Sequence, residues 1–440
     1  MKNREIFFTG LMLFALFFGA GNLIFPPFLG MEAGTSFWPA IIGFVITGVS
    51  LPILAVIAIS LTAGGVAAIG SQVHPLFGSI FALIVYLAIG PFFGIPRGAS
   101  VAYEMGVQPF MEEPNALWLF LFMTVFFAVV YFLSLNPSKL VDRIGQWLTP
   151  ALLLAITALC VAAFLTFDAP LSAPAEKYQR TPFITGFIEG YLTMDTIAAL
   201  AFGIVVVSAF SDRGVAMDKS TRLKSTVSAG IIAGIGLAAV YISIAWIGAK
   251  MEGSEGLENG GAVLTKASQT LFGNGGQVLL GIIVSLACLT TCIGLISACA
   301  KYFSERWPKL SYRMLVMWLT LISFAIANLG LSQIIAISVP VLITIYPFAI
   351  VLVILSFIAP FIHRPKGLYI GAVAMTAVFC LHDGLKAFEL PVSGLNQAIS
   401  WVPFFSSGLG WILPAVAGGL AGLLINRAIY NRERRHQQIN

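Results

Sequence analysis

Phe18-Gly19-Ala20-Gly21-Asn22-Leu23-Ile24-Phe25-Pro26-Pro27 interrupts an otherwise apolar stretch that runs from Ile6 to Leu29. Two glycines, an asparagine and two prolines stand where a plain membrane anchor carries leucine. Gly19 and Gly21 relax the backbone, and a proline cannot continue the hydrogen-bond ladder of a helix. Backbone unwound at membrane depth is tolerated only where it is buried in protein or lines a cavity. The stretch therefore reads as a broken helix with a binding role. Its first half ends near Phe18, and its second half starts near Pro26, because proline suits a first helical turn. Free carbonyls face one side of such a gap. N–H groups carrying partial positive charge face the other. That pairing suits a cation beside a carboxylate, or a zwitterion. A packing kink in a membrane helix is the competing reading of the same residues.

The composition agrees with membrane depth. Of 440 residues, 58% are hydrophobic and only 10% charged, which places the chain among polytopic membrane proteins. The net charge of +5 is no nucleic-acid signature, since the basic residues sit in short loops between apolar runs. Met1-Lys2-Asn3-Arg4 leads straight into a full-length span, so no cleavable signal peptide is expected. Cys160, Cys288, Cys292, Cys299 and Cys380 all fall in or beside apolar segments and read as small packing residues rather than metal ligands or disulfides.

Apolar stretches long enough to span a bilayer recur at about 5–30, 37–63, 76–96, 116–135, 145–167, 187–210, 225–249, 276–300, 312–329, 333–361, 367–382 and 407–430. The fold class is thus an all-α polytopic membrane protein with about twelve transmembrane helices. With the N-terminus inside, the cytoplasmic segments hold eighteen of the 24 basic residues. These include Lys2, Arg4, Lys139, Arg143, Arg213, Lys219, Lys301, Arg306, Arg364, Lys366, Arg427 and Arg432. The outer loops hold Arg97, Lys177, Arg180, Lys250, Lys266 and Lys386. This asymmetry follows the positive-inside rule and puts both termini in the cytoplasm.

The sixth span, around Gly190-Tyr191-Leu192-Thr193-Met194-Asp195-Thr196, is odd in the same way as the first. Five spans separate the two starts, so the second copy enters the membrane from the opposite side. Interrupted spans at matching positions of two inverted halves point to the binding site of a transporter. The halves are 1–167 and 187–361. Residues 367–440 add two helices and a basic tail.

Asp195 is an acid deep in a span, where an ionised carboxylate costs ~2.5–3.5 kcal/mol. It reads as a cation ligand, a proton carrier or an orienter of the unwound segment. The plainer alternative is a carboxylate accepting backbone N–H bonds at the break. In the eighth span Ala287, Thr290 and Thr291 share one helical face. Two hydroxyls and a carbonyl there suit a small hard cation, although threonines also bond back to their own preceding turn. Arg97 and Glu104 follow Gly94-Ile95-Pro96 and read as solvated interfacial charges or an external gate. Tyr86 either closes over a substrate or packs. His74, His363, His382 and His436 lie at span ends or in tails without ligand spacing, and Glu252, Glu255 and Glu258 read as a solvated loop. No nucleophile–base pair, phosphate cradle or metal cluster is evident, so an enzyme is not expected.

Taken together, Phe18 to Pro27, the segment Tyr191-Leu192-Thr193-Met194-Asp195-Thr196 and the twelve-span plan resemble the bacterial branched-chain amino acid carriers, the leucine/isoleucine/valine:cation symporters. The resemblance covers essentially the whole chain. It implies the five-plus-five inverted repeat of the amino acid–polyamine–organocation transporters, with broken helices 1 and 6. It also implies import of leucine, isoleucine and valine with sodium, or with protons, across a bacterial plasma membrane. A second resemblance, to the neurotransmitter:sodium symporters, rests on Gly19-Ala20-Gly21-Asn22 and Phe25-Pro26. It implies that backbone at Ala20 and Gly21 holds a substrate carboxylate and that Asn22 sits at a cation. A second, sodium-like cation would take Ala15, Phe18, Ala287, Thr290 and Thr291.

The expected substrate set is therefore Ala20, Gly21, Asn22, Leu23, Tyr86, Thr193, Asp195 and Ala198. The expected cation set is Ala15, Phe18, Asn22, Ala287, Thr290, Thr291 and Asp195. No cofactor beyond the coupling ion, no nucleic acid and no obligate protein partner are expected. A cation-coupled carrier of another small solute, such as a nucleobase, remains an alternative.

Overall fold

In hydrocarbon every backbone polar group must pair within its own segment, so long apolar runs become helices. The computed structural model describes residues 3–62, 64–111, 113, 115–135, 140–211, 219–253, 256–257 and 259–439, and these contain helices and no strand. Lys2, Lys139, Arg213, Glu255 and Glu258 of the loop reading lie outside the described residues.

The chain order begins α1 Asn3–Phe17, α2 Ala20–Ala33, α3 Phe37–Val45, α4 Leu51–Leu61, α5 Gly65–Ser71, α6 Pro75–Leu87 and α7 Gly94–Gly106. Next come α8 Ala116–Ser134, α9 Leu140–Thr166, α10 Glu176–Gln179, α11 Pro182–Glu189, α12 Asp195–Ser211 and α13 Lys219–Lys250. The order closes with α14 Gly260–Arg306, α15 Tyr312–Ala327, α16 Leu331–Ile358, α17 Lys366–Ala387, α18 Ser393–Ile399 and α19 Ile412–Ile439. Among the described residues, 8 segments are long and apolar enough to cross a membrane. Ile6–Phe17, Pro150–Thr166 and Tyr312–Ala327 are shorter apolar helices. The protein is a multi-pass membrane protein.

Four expectations change. The second half of the first broken helix starts at Ala20, and Pro26 and Pro27 lie inside it. A proline removes the ladder bond only to the carbonyl four residues back. Pro26 and Pro27 thus withhold donors from Asn22 and Leu23, in the first turn beside the break, rather than starting the helix. The third span does not stop at 96. A π turn at Ala88–Phe92, kinked at Gly90, passes the chain on into α7. Arg97 therefore sits inside the protein, 3% exposed, and not in an outer loop. The eighth helix begins early, at Gly260, and bends at Gly273, where φ is +62. Its polar first part, including Lys266 and Gln269, masks it as a loop. The eleventh helix is 22 residues long, longer than the sequence window indicated.

Packing sorts the helices into groups. α2 and α1 lie against α13, α11 against α3, and α12 against α4. α14 lies against α7 and α9, and α15 against α8. α16, α17 and α19 pack in series. Small residues allow this closeness. A Cβ on Gly30 of α2 would run into the Ala245 carbonyl of α13, and one on Gly248 into the Pro27 carbonyl.

Candidate binding site at the two helix breaks

The first break is short. The Phe18 N–H still closes on Phe14 O at 2.7 Å, Gly19 is extended, and the Asn22 N–H reaches Gly19 O at 3.2 Å. No side chain caps α2, so its opening N–H groups face the gap without one. The second break is a 3-10 turn, Gly190–Thr193, followed by Met194 in the left-handed region at φ 67. That conformation costs a non-glycine residue about 1–2 kcal/mol. It turns the chain so that α12 opens on Asp195. Thr47, in a π turn between α3 and α4, donates to Phe187 O at 2.7 Å and closes the end of α11.

The two breaks meet. Asn22 Nδ2 donates to Phe17 O at 2.5 Å and to Asp195 Oδ2 at 3.1 Å. Both partners are acceptors, which settles the orientation of the amide. The Tyr241 hydroxyl, from α13, donates to the same Asp195 Oδ2 at 2.9 Å. Asp195 is 4% exposed and Asn22 fully buried. Arg97 donates from Nη1 to Leu192 O at 2.6 Å and from Nη2 to Thr193 O at 2.9 Å. Its guanidinium carbon lies 5.5 Å from the centre of the Phe25 ring. Two buried atoms here have no partner, Asn22 Oδ1 and Arg97 Nε.

These groups enclose a cavity of about 30 Å³, room for roughly two waters. Of the residues singled out in the sequence, Ala20, Gly21, Asn22, Thr193, Asp195, Ala198 and Thr291 line it. Arg97, Gly19, Gly94 and Gly98 join them, with Leu16, Phe17, Ile89, Phe202 and Leu295 as an apolar wall. Leu23, Ala15, Phe18, Ala287 and Thr290 do not line it. Neither does Tyr86, whose hydroxyl donates to Ala201 O at 3.2 Å while its ring stacks on Tyr302 at 3.9 Å. Tyr86 precedes the kink at Gly90, and Arg97 follows it.

Thr290 and Thr291 both donate to Ala287 O, at 2.8 and 3.1 Å. This is the back-bonded arrangement, yet each hydroxyl oxygen keeps lone pairs for a hard cation. The Thr291 oxygen would lie 3.6 Å from a Cβ built on Gly19, so the threonine face meets the first break.

Tyr241 escaped the sequence reading because a tyrosine in an apolar helix looks like packing. Arg97 was read as an outer interfacial charge, because arginine, glycine and serine depress the local hydropathy. Glu104 accepts from Asn259 Nδ2 at 3.2 Å, at the start of α14. His382 is buried inside α17, with Nδ1 2.8 Å from Asp383 Oδ1. Lys177, in the short helix α10, pairs with Glu32 of α2 at 2.6 Å and Glu189 of α11 at 2.7 Å. Burial alone would lower the Lys177 pKa, but the Glu189 and Glu32 carboxylates outweigh it and hold it above its ordinary value.

Two solved structures share this fold. A nucleobase-cation-symport-1 family transporter, Mhp1, in a closed conformation with bromovinylhydantoin bound, aligns with a TM-score of 0.62 at 14% identity over 97% of this chain and 93% of its own. MhsT in complex with L-phenylalanine aligns at 0.57 and 17% identity, over 97% and 98%. The chain thus has the helical fold of these two proteins, with two broken helices meeting at its centre. The sequence model described as "Branched-chain amino acid transport protein" matches residues 2–429, and the chain belongs to that family. It is 44% identical to the branched-chain amino acid permease BraB of Bacillus subtilis, over 96% of this chain and 95% of that one. It is 40% identical to the branched-chain amino acid permease BrnQ of Escherichia coli K12, over 97% of both. It is also 40% identical to the branched-chain amino acid transport system 2 carrier protein of Pseudomonas aeruginosa, over 98% of both. Family and relatives are transport proteins, not enzymes.

Proposed function

We propose that this protein imports leucine, isoleucine and valine across a bacterial plasma membrane by sodium symport, with both termini cytoplasmic. The observation that carries the reading is the meeting of both breaks and Thr291 around one buried cavity with an apolar wall. In this reading the inverted halves 1–167 and 187–361 alternate access. The group built on α1–α4 and α11–α13 rocks against the group built on α7, α8, α14 and α15. Sodium sits between Ala15 and Phe18 on one side and Ala287, Thr290 and Thr291 on the other, where hydroxyl and carbonyl oxygens suit a hard cation. The amino acid binds by its charged ends at Ala20, Gly21, Asn22, Thr193 and Asp195. Its aliphatic side chain meets Ala198, Phe202, Ile89 and Leu295. One sodium entering down ~100 mV and a tenfold gradient supplies ~3.7 kcal/mol, enough for about 500-fold accumulation. An apolar wall separates side chains by only ~1–3 kcal/mol per methylene, so the three substrates compete and alanine binds poorly.

The burial of Asp195 beside Asn22 and Tyr241 favours a second reading, proton symport of the same substrates through that carboxylate. Labelled leucine uptake into proteoliposomes, under an inward sodium gradient against choline at fixed pH, decides between them. Sodium-driven uptake that is lost in Thr290→Ala/Thr291→Ala supports the first reading. Uptake indifferent to sodium, driven by protons and lost in Asp195→Asn supports the second. No leucine uptake under either gradient sinks both.

A further inference from the structure

Arg97 is a charge that the proposed transport cycle does not use. A fully buried arginine is expensive unless its charge is answered. No carboxylate answers it directly: among the described residues the ion pairs are Lys177 with Glu32 and Glu189, and His382 with Asp383. Instead the guanidinium is fastened edge-on to two carbonyls of the second break, Leu192 O and Thr193 O. Guanidinium has five N–H donors in a planar fork. Two are committed to those carbonyls, and Nε has no partner. The group is also pressed against Gly21, where a Cβ would come within 2.8 Å of Nη2. A fixed cation with an unpartnered donor on its Nε thus has its Nη2 edge beside the backbone expected to hold a carboxylate. The same cavity holds an orphan acceptor, Asn22 Oδ1, and the Asp195 carboxylate, whose known partners are neutral donors.

We propose that Arg97 is a substrate-binding residue. Its guanidinium, held by Leu192 O and Thr193 O beside Gly21, takes the α-carboxylate of the amino acid, while Asn22 Oδ1 and Asp195 take the α-ammonium. The site offers a cationic group and a carboxyl group, so a zwitterion finds a partner for each of its ends. Arg97 then does by covalent attachment what a second bound cation beside the carboxylate would otherwise do. The threonine face is left as the place for a coupling ion. Arginine suits this task better than lysine, because its fork stays on the two carbonyls while presenting a further edge to a carboxylate.

The inference rests on the amino-acid reading, and the test separates the two. Labelled leucine is bound to the purified full-length protein and displaced by leucine, by leucinamide and by 3-methylbutylamine. Wild type should prefer leucine over leucinamide by ~100-fold, since a site built to bond a charged group rejects a ligand lacking it. In Arg97→Gln, read by ligand-induced thermal shift, leucine should weaken strongly and leucinamide little, so that the preference collapses at least tenfold. Arg97→Lys should retain part of it. Equal weakening of leucine and leucinamide in Arg97→Gln marks a structural arginine and overturns the proposal. So does a wild type that binds leucinamide as tightly as leucine, a result that needs no variant to fold. A wild type that binds no leucine overturns the amino-acid reading, and the proposal with it.

Discussion

Replacing Gly21 with alanine tests whether the breaks must touch for the site to work. A Cβ there would lie 2.8 Å from Arg97 Nη2, 3.0 Å from Thr193 O and 3.1 Å from Thr193 Cα. The arginine end can swing away, but the two Thr193 atoms belong to the backbone of the second break. Relief therefore requires α2 and the Gly190–Thr193 turn to separate by a few tenths of an ångström. Overpacking of this kind costs about 1–3 kcal/mol. If that cost falls on the closed, ligand-holding form, leucine affinity drops roughly 5- to 150-fold, at 1.4 kcal/mol per tenfold. Equilibrium leucine binding to the purified protein measures it. Gly275→Ala serves as the control, because nothing lies within 4 Å of a Cβ at that position. A leucine Kd for Gly21→Ala within twofold of wild type would refute the reasoning, since it would mean the breaks are apart when ligand is held.

Other substitutions follow from the same geometry. Tyr241→Phe removes the 2.9 Å bond to Asp195. It should destabilise the protein by about 1–3 kcal/mol in reversible detergent unfolding, because the acceptor stays buried, and unaltered unfolding would remove Tyr241 from the network. Thr291→Ala should raise the sodium concentration for half-maximal uptake by about tenfold, the scale of one lost ligand near 1.4 kcal/mol. Thr290→Ala should raise it less, because only Thr291 lines the cavity; the reverse order would misplace the cation. Lys177→Met opens both carboxylate pairs. Lys177 is 42% exposed, so the loss should stay below about 1 kcal/mol and shrink with added salt. A larger, salt-independent loss would show that the pairs count as buried.

Much of the site was legible along the chain. Glycines, an asparagine and an aspartate inside apolar runs have a single tolerable explanation in hydrocarbon, namely backbone that must be used. That argument reached Gly19 to Asn22, Thr193 and Asp195, and helical spacing reached Thr291. It misjudged the start of α2, because a proline's preference for a first turn is statistical. What a proline forbids is one bond to one carbonyl, and the first turn after Ala20 could forgo it.

What the linear order alone determined was the class, a helical membrane protein with two broken helices, since solvent and backbone pairing act locally. What only the tertiary structure decided was which charges face each other. Arg97 stands 95 residues from Leu192, Tyr241 stands 46 from Asp195, and neither carries a local mark of its role. A window of sequence senses how costly a buried arginine is. Which carbonyls offset that cost depends on the kink at Gly90 and the packing of α7 beside the second break, and both are products of the folded bundle.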